Sequence, residues 1–245
     1  MSETRKDLGW LTARPIAHRG YHDMNVNIWE NTRSAFLRAI ESNYAIECDI
    51  HIATDGVPVV FHDDDLERLC GLSGDVRERT SQELAQLRVG GTSDGVMSLP
   101  ALFKLVKGQV PLVIELKPRP GDDDGFADAV VECLESYDGP VALMSFDDRL
   151  LRDLKACGAT CPLGLTAEGV KPEKFFVHEE AMHLGLDFIS YCVHHLPNRF
   201  VEAQRKQGIA IITWTVRDAP ARQLTREYAD QMTFEGFDPD ATIDA

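Results

Sequence analysis

No apolar run in the chain approaches the roughly 18 residues needed to cross a bilayer. The N-terminal stretch Met1 to Trp10 is polar and charged, without the apolar core of a signal peptide, so a cytoplasmic setting is expected. Cations are also scarce: 25 Lys and Arg stand against 40 Asp and Glu, a net charge of −15. That balance argues against nucleic-acid binding, which draws on clustered cations, and against resting on an anionic membrane. None of the six cysteines forms a C-x-x-C pair, so reduced thiols are expected rather than a zinc site. A serine-centred nucleophile elbow, a glycine-rich phosphate loop and a dinucleotide fingerprint are all missing. Internal repeats and low-complexity segments are missing as well.

What is present is an alternation of short apolar runs with helical stretches. Strand-like runs fall at Pro15–His18, Ala45–Ile52, Val57–His62, Pro111–Lys117, Pro140–Phe146, Cys161–Thr166, Asp187–Cys192 and Ile209–Thr215, with a weaker one at Gln231–Phe234. Asn31 or Thr32 can cap a helix running to about Ser42, and Asp147 or Asp148 can start another that Gly158 stops. Strand–helix alternation of this kind implies a mostly parallel sheet, and at 245 residues a single closed (β/α)8 TIM barrel is the leading architecture. Between Ile52 and Val57 a crossover helix has no room, and Asp55-Gly56 signals a tight two-residue hairpin instead. That register pairs His51 with Val60 and brings His62 opposite Asp49. Removing Val57–His62 from the ring leaves eight runs for the barrel. Residues 63–97 break the alternation and read as a small inserted subdomain near the barrel mouth. It is a candidate for shaping substrate access or a homo-oligomer contact, and a surface excursion without function is equally open.

Ionisable residues gather at the ends of the apolar runs. His18-Arg19-Gly20, Glu47-Cys48-Asp49, Phe61-His62-Asp63 and Ile114-Glu115-Leu116-Lys117 each close one. Glu47 and Asp49 are two apart on a strand and share a face, as do Glu115 and Lys117. Neighbouring carboxylates repel unless something positive lies between them, and oxygen ligands suit Mg²⁺ or Ca²⁺ rather than zinc. A salt-bridged barrel interior, neutralised by Lys117 and Arg19, is the bland alternative. Two histidines converging on carboxylates fit acid–base work near neutral pH, and the planar fork of Arg19 suits phosphate oxygens. His51 shares the face of Glu47 and Asp49 and is expected behind the ligands or beyond the mouth, with a direct role as the lesser alternative. Trp214 ends a strand, where it either walls a pocket or caps the core. Together these residues point to a metal-assisted phosphodiester hydrolase acting on a small molecule.

With these residues in view, the chain resembles the glycerophosphodiester phosphodiesterase family. The resemblance runs through Ile16–Gly20, Glu30-Asn31-Thr32, Glu47-Cys48-Asp49, Asp55–Asp63 and Ile114–Lys117, and weakly through Trp214-Thr215-Val216. It implies a TIM barrel with a small insertion after the His62 segment. It also implies His18 and His62 as the acid–base pair, Glu47, Asp49 and Glu115 as ligands of a divalent cation, and Arg19 and Lys117 as phosphate contacts. The implied reaction is hydrolysis to glycerol 3-phosphate and an alcohol through a cyclic phosphate. A lysophospholipid or another phosphodiester remains an alternative substrate, and a non-catalytic phosphate-binding barrel an alternative role. Asn31 as a helix cap bracing the His18 loop accounts for its place in the pattern without chemistry. Two stretches depart from the family pattern, residues 21–29 and Thr233-Phe234-Glu235-Gly236.

Overall fold

The computed structural model describes residues 8–241, so most of the Met1–Trp10 stretch lies outside the described residues. Nine strands follow the apolar runs: β1 (Ile16–Ala17), β2 (Ala45–Ile52), β3 (Pro58–Val60), β4 (Leu112–Leu116), β5 (Val141–Ser145), β6 (Leu163–Ala167), β7 (Phe188–Cys192), β8 (Ala210–Val216) and β9 (Gln231–Phe234). Eight of them form one parallel ring in the order β1-β2-β4-β5-β6-β7-β8-β9, with β9 returning to β1. The weak run Gln231–Phe234 is the strand that closes it. This is the (β/α)8 TIM barrel expected from the alternation, with β3 added antiparallel on the outside of β2.

Helices lie between the strands. In chain order they are α1 (Gly9–Thr12), α2 (Arg33–Glu41), α3 (Glu67–Cys70), α4 (Ser81–Ala85), α5 (Leu99–Val106), α6 (Phe126–Leu134), α7 (Asp148–Ala156), α8 (Pro172–Met182), α9 (Arg199–Lys206) and α10 (Ala219–Tyr228). Thr32, not Asn31, caps α2 by accepting the Ala35 N–H, and Asp147 caps α7. No described helix is long and apolar enough to cross a membrane.

Alternation along β2 separates two kinds of interior. Ile46, Cys48 and Ile50 point outward and join Phe36, Leu102 and Phe103 of the surrounding helices in the main core. Ala45 points inward and meets Ile16, Val113, Met144, Phe188 and Ile212, with Leu11 of α1 plugging the lower end. Gly164 is required there, because a Cβ on it would sit 2.3 Å from the Phe188 ring. The apolar floor occupies the N-terminal end of the barrel, so the inward residues that follow on each strand form the C-terminal mouth. In this fold the mouth is where active sites are built.

The hairpin departs from the two-residue reading. His51 pairs with Val59 and Ile50 with Val60, a slip of one residue. The loop holds three residues, Thr54-Asp55-Gly56, closed by the Ala53 N–H to Val57 O bond at 3.0 Å. Gly56 adopts φ +76°, the left-handed position that a three-residue hairpin loop demands. Asp49 is therefore bonded opposite Phe61, whose N–H reaches Asp49 O at 3.0 Å, and His62 lies beyond the ladder.

Residues 63–97 carry α3, α4 and short turns over an apolar cluster shared with Ala53, Val59 and Phe61 of the hairpin. Phe61, Leu66, Leu69, Val76, Leu84 and Val89 form its centre, and Trp29 packs on it from the barrel side. The Thr80–Glu83 capping box starts α4.

Candidate active site

Glu47, Asp49 and Glu115 face inward at the mouth, and each is no more than 5% exposed. One carboxylate oxygen from each lies within 4.8 Å of the other two. The parallel register that puts Asp49 beside Glu115 makes this meeting a property of the β2–β4 pairing. Lys117 Nζ reaches Asp49 Oδ1 at 2.8 Å and also bonds the Glu115 carboxylate. Arg19 donates its backbone N–H to Glu47 Oε2 at 2.9 Å and holds Asp49 Oδ2 at 3.3 Å from its Nε. The loop that presents it turns at Arg19 (φ +53°) and Gly20 (φ +80°), and a Cβ on Gly20 would lie 2.9 Å from the Ala35 Cβ.

Charge counting explains the protonation pattern. Burial alone would raise all three carboxyls. At Asp49 it is outweighed by Lys117 and Arg19, which hold the group below the usual carboxylate range. At Glu115 burial wins over the opposing Lys117, and the group is raised. Burial, with Asp49 and Glu115 adding repulsion, pushes Glu47 well above its ordinary value. Burial would lower Lys117, but Asp49 and Glu115 raise it. Two fixed cations thus face three buried carboxyls, and the charged form is disfavoured most at Glu47.

His18, 9% exposed, directs Nε2 toward Glu47 Oε2 at 4.0 Å, while Nδ1 bonds Glu235 Oε2 at 2.5 Å. Burial lowers its pKa, and the bond to Glu235 opposes that shift. His62, more open, lies close enough to Asp49 and Glu115 for its charge to act on both, with Nδ1 on Asp63 Oδ1 at 2.7 Å. Asp63 takes Arg68 Nε at 2.7 Å, and Arg68 also reaches Glu30. Each of the two imidazoles therefore has Nδ1 engaged by a carboxylate, which leaves Nε2 for chemistry. His51 is fully buried: Nδ1 accepts from Arg77 at 3.3 Å and Nε2 donates to His62 O at 3.1 Å. Burial, against that bond to His62 O, brings its pKa down to about 4, so it is a neutral brace for the His62 backbone.

Glu30 ties the two halves together. It takes Arg19 at 2.6 Å, Arg68 at 2.8 and 2.9 Å, and Asn25 Nδ2 at 2.6 Å. Burial would raise its pKa, but Arg68 and Arg19 bring it down from 4.5 to about 2. A depressed carboxyl stabilises the fold above its unfolded value and loses that contribution as pH falls through the folded one. Glu30→Gln is expected to cost about 2–3 kcal/mol near neutral pH. In urea unfolding, the gap from wild type should close as pH falls from about 4.5 toward about 2.

Asn31 is not the helix cap. Its side-chain amide donates to Asp49 Oδ2 at 3.0 Å, and its N–H to Arg19 O at 2.8 Å braces the His18 loop. Trp214 lies half-buried on the far side of the mouth, two residues along β8 from the floor residue Ile212. Its Nε1–H donates to Ser190 O at 3.1 Å, and its ring meets the exposed Phe146 edge-on at 5.5 Å. In the sequence Glu235 stood out only as part of a stretch departing from the family pattern, and Arg217 not at all. Both directly follow strands, as Lys117 does, and that position was the available signal.

The Glycerophosphoryl diester phosphodiesterase family profile matches residues 18–241. A protein of Caldanaerobacter subterraneus subsp. tengcongensis named glycerophosphodiester phosphodiesterase is 28% identical over 215 residues, covering 82% of this chain and 84% of that protein. The solved glycerophosphodiester phosphodiesterase of Thermotoga maritima is similar with a TM-score of 0.71 and 28% identity, covering 89% of this chain and 92% of that one. An Oleispira antarctica phosphodiesterase, solved in complex with the product sn-glycerol-3-phosphate, shares the fold. Its TM-score is 0.80 at 24% identity, over 92% of this chain and 94% of that one. With a family profile spanning all but the ends, the chain belongs to the glycerophosphoryl diester phosphodiesterase family.

Proposed function

We propose that this chain hydrolyses glycerophosphodiesters to glycerol 3-phosphate and an alcohol. One observation carries the reading: His18, Arg19, Lys117 and the Glu47–Asp49–Glu115 cluster converge in a barrel of this family. Three buried carboxylates exceed the two cations beside them, and an all-oxygen donor set fits a hard dication, Mg²⁺ or Ca²⁺. Glu47, Asp49 and Glu115 would hold that ion. When bound, it supplies positive charge against the phosphoryl oxygens.

The protein's own groups account for the rest. Arg19 and Lys117 place positive charge at the mouth and draw the phosphate in. One imidazole, through Nε2, takes the proton of the glycerol 2-hydroxyl as its oxygen attacks phosphorus. The other imidazole protonates the departing alkoxide, and a cyclic phosphate results. Water then opens the cyclic phosphate with the two proton transfers reversed. Trp214 and Phe146 present apolar faces to the carbon skeleton on the opposite wall. A cytoplasmic setting, where thiols stay reduced, belongs to the same reading.

Product analysis tests it. Glycerophosphocholine and glycerophosphoethanolamine with Mg²⁺ or Ca²⁺ should yield glycerol 3-phosphate, and a chelator should abolish the yield. Lysophosphatidylcholine should turn over more slowly. Absence of glycerol 3-phosphate from the soluble diesters under every metal would sink the assignment.

A further inference from the structure

The two stretches that depart from the family pattern, residues 21–29 and Thr233–Gly236, come together at His18. Register pairing of Ala17 with Phe234 sets Glu235 beside His18 at the ends of β1 and β9. Glu235 is 6% exposed, and its Oε2 accepts from His18 Nδ1–H at 2.5 Å. Its other oxygen accepts from Arg217 Nε at 2.5 Å. From the first stretch comes His22, 5% exposed, with Nε2 at 3.7 Å from Glu235 Oε2. His22 Nδ1 accepts the Met24 N–H at 3.2 Å, which places its proton on Nε2. That buried Nε2 has no hydrogen-bond partner and is aimed at Glu235. Met24 in turn covers Gly236, where a Cβ would meet Sδ at 3.2 Å.

We propose that Glu235 is the positioning residue of His18, fixing the tautomer with the proton on Nδ1 and the Nε2 lone pair turned toward Glu47 and the phosphate position. The proposal rests on the diester-cleaving reading of the site. An imidazole without a fixed partner divides between two tautomers and two ring orientations, and only one combination presents the right atom to the reaction. A carboxylate accepts and cannot donate, so its bond to Nδ1 selects that combination. Arg217 prevents the carboxylate from rotating away, and His22 closes its remaining side. An ion pair kept for stability alone has no need of an imidazole whose second nitrogen faces a carboxylate cluster at 4.0 Å. Glu235 reaches no reacting atom in this arrangement and acts through His18.

Two readouts test this, one of them independent of turnover. In ¹⁵N-histidine NMR, a hydrogen-bonded Nδ1–H resonance, assigned to His18 by its loss in His18→Ala, should be present in wild type. It should persist in Glu235→Asp and vanish in Glu235→Ala. With glycerophosphocholine and Mg²⁺, Glu235→Ala should lower kcat about 10- to 100-fold while KM moves less than about threefold. Glu235→Asp should recover part of the loss. A resonance that survives in Glu235→Ala, or a kcat within about threefold of wild type, overturns the assignment. Should Glu235→Ala fail to fold, Arg217→Gln decides, since the Arg217 side chain is 54% exposed. It is expected to lower kcat about 3- to 10-fold at an unchanged thermal midpoint, and an unchanged kcat counts against the role. A wild-type protein inactive on every phosphodiester would remove the reaction, while the NMR signal would still decide the His18–Glu235 geometry.

Discussion

Alanine at His18 or at His62 is expected to reduce kcat on glycerophosphocholine about 10²–10⁴-fold, the range lost when a positioned proton-transfer group is removed. The two losses should not multiply in the double variant, because both proton transfers belong to one displacement. The variants differ in their structural cost. His18 is buried and bonded to Glu235, so His18→Ala strips a buried carboxylate of one partner and should lower the thermal midpoint. His62 is about a third exposed at its side chain, and Asp63 keeps Arg68 after its loss, so His62→Ala should fold much like wild type. Steady-state kinetics beside thermal unfolding separates the effects. Near-full turnover in His62→Ala would end the proposed acid–base pairing.

Glu47→Gln should abolish turnover and yet make the metal-free protein more stable. Without a dication, the charged form of Glu47 is disfavoured by burial and by Asp49 and Glu115, which push its pKa well up. The sign follows from that direction: an acid whose folded pKa is raised weakens the fold above its unfolded value and regains stability as pH falls. A neutral amide of the same shape removes that penalty near pH 7. The expected gain is about 1–2 kcal/mol, or about 2–8 °C in the thermal midpoint of chelator-treated protein. Wild type should gain stability when Mg²⁺ or Ca²⁺ is added, because a ligand of the native state alone shifts the equilibrium toward it. Glu47→Gln should gain little. If Glu47→Gln lowers the midpoint under chelation, or keeps the metal-induced rise, the three carboxylates do not form the cation site.

The hairpin shows how far spacing can be trusted. Asp55-Gly56 announced a turn, and a turn formed there. The letters read as a two-residue loop, but the Ala53–Val57 bond encloses three, because Gly56 takes the left-handed position that a three-residue loop needs. His62 still comes near the carboxylates, though through the chain beyond β3 rather than by cross-strand pairing. Asn31 teaches the complementary lesson: Asn and Thr are both good caps, and only the packed loop shows that Thr32 caps while Asn31 reaches Asp49.

By itself the sequence determined the barrel, the number of its strands and the faces of Glu47, Asp49, Glu115 and Lys117. Hydrophobic periodicity and two-residue alternation are local properties, readable wherever the chain is extended. The tertiary structure alone decided that Glu235, Arg217 and His22 stand around His18. Residues 18 and 235 are neighbours only because β9 closes the ring against β1, and ring closure depends on the summed register of every strand between them. No spacing in the chain encodes a contact of that kind.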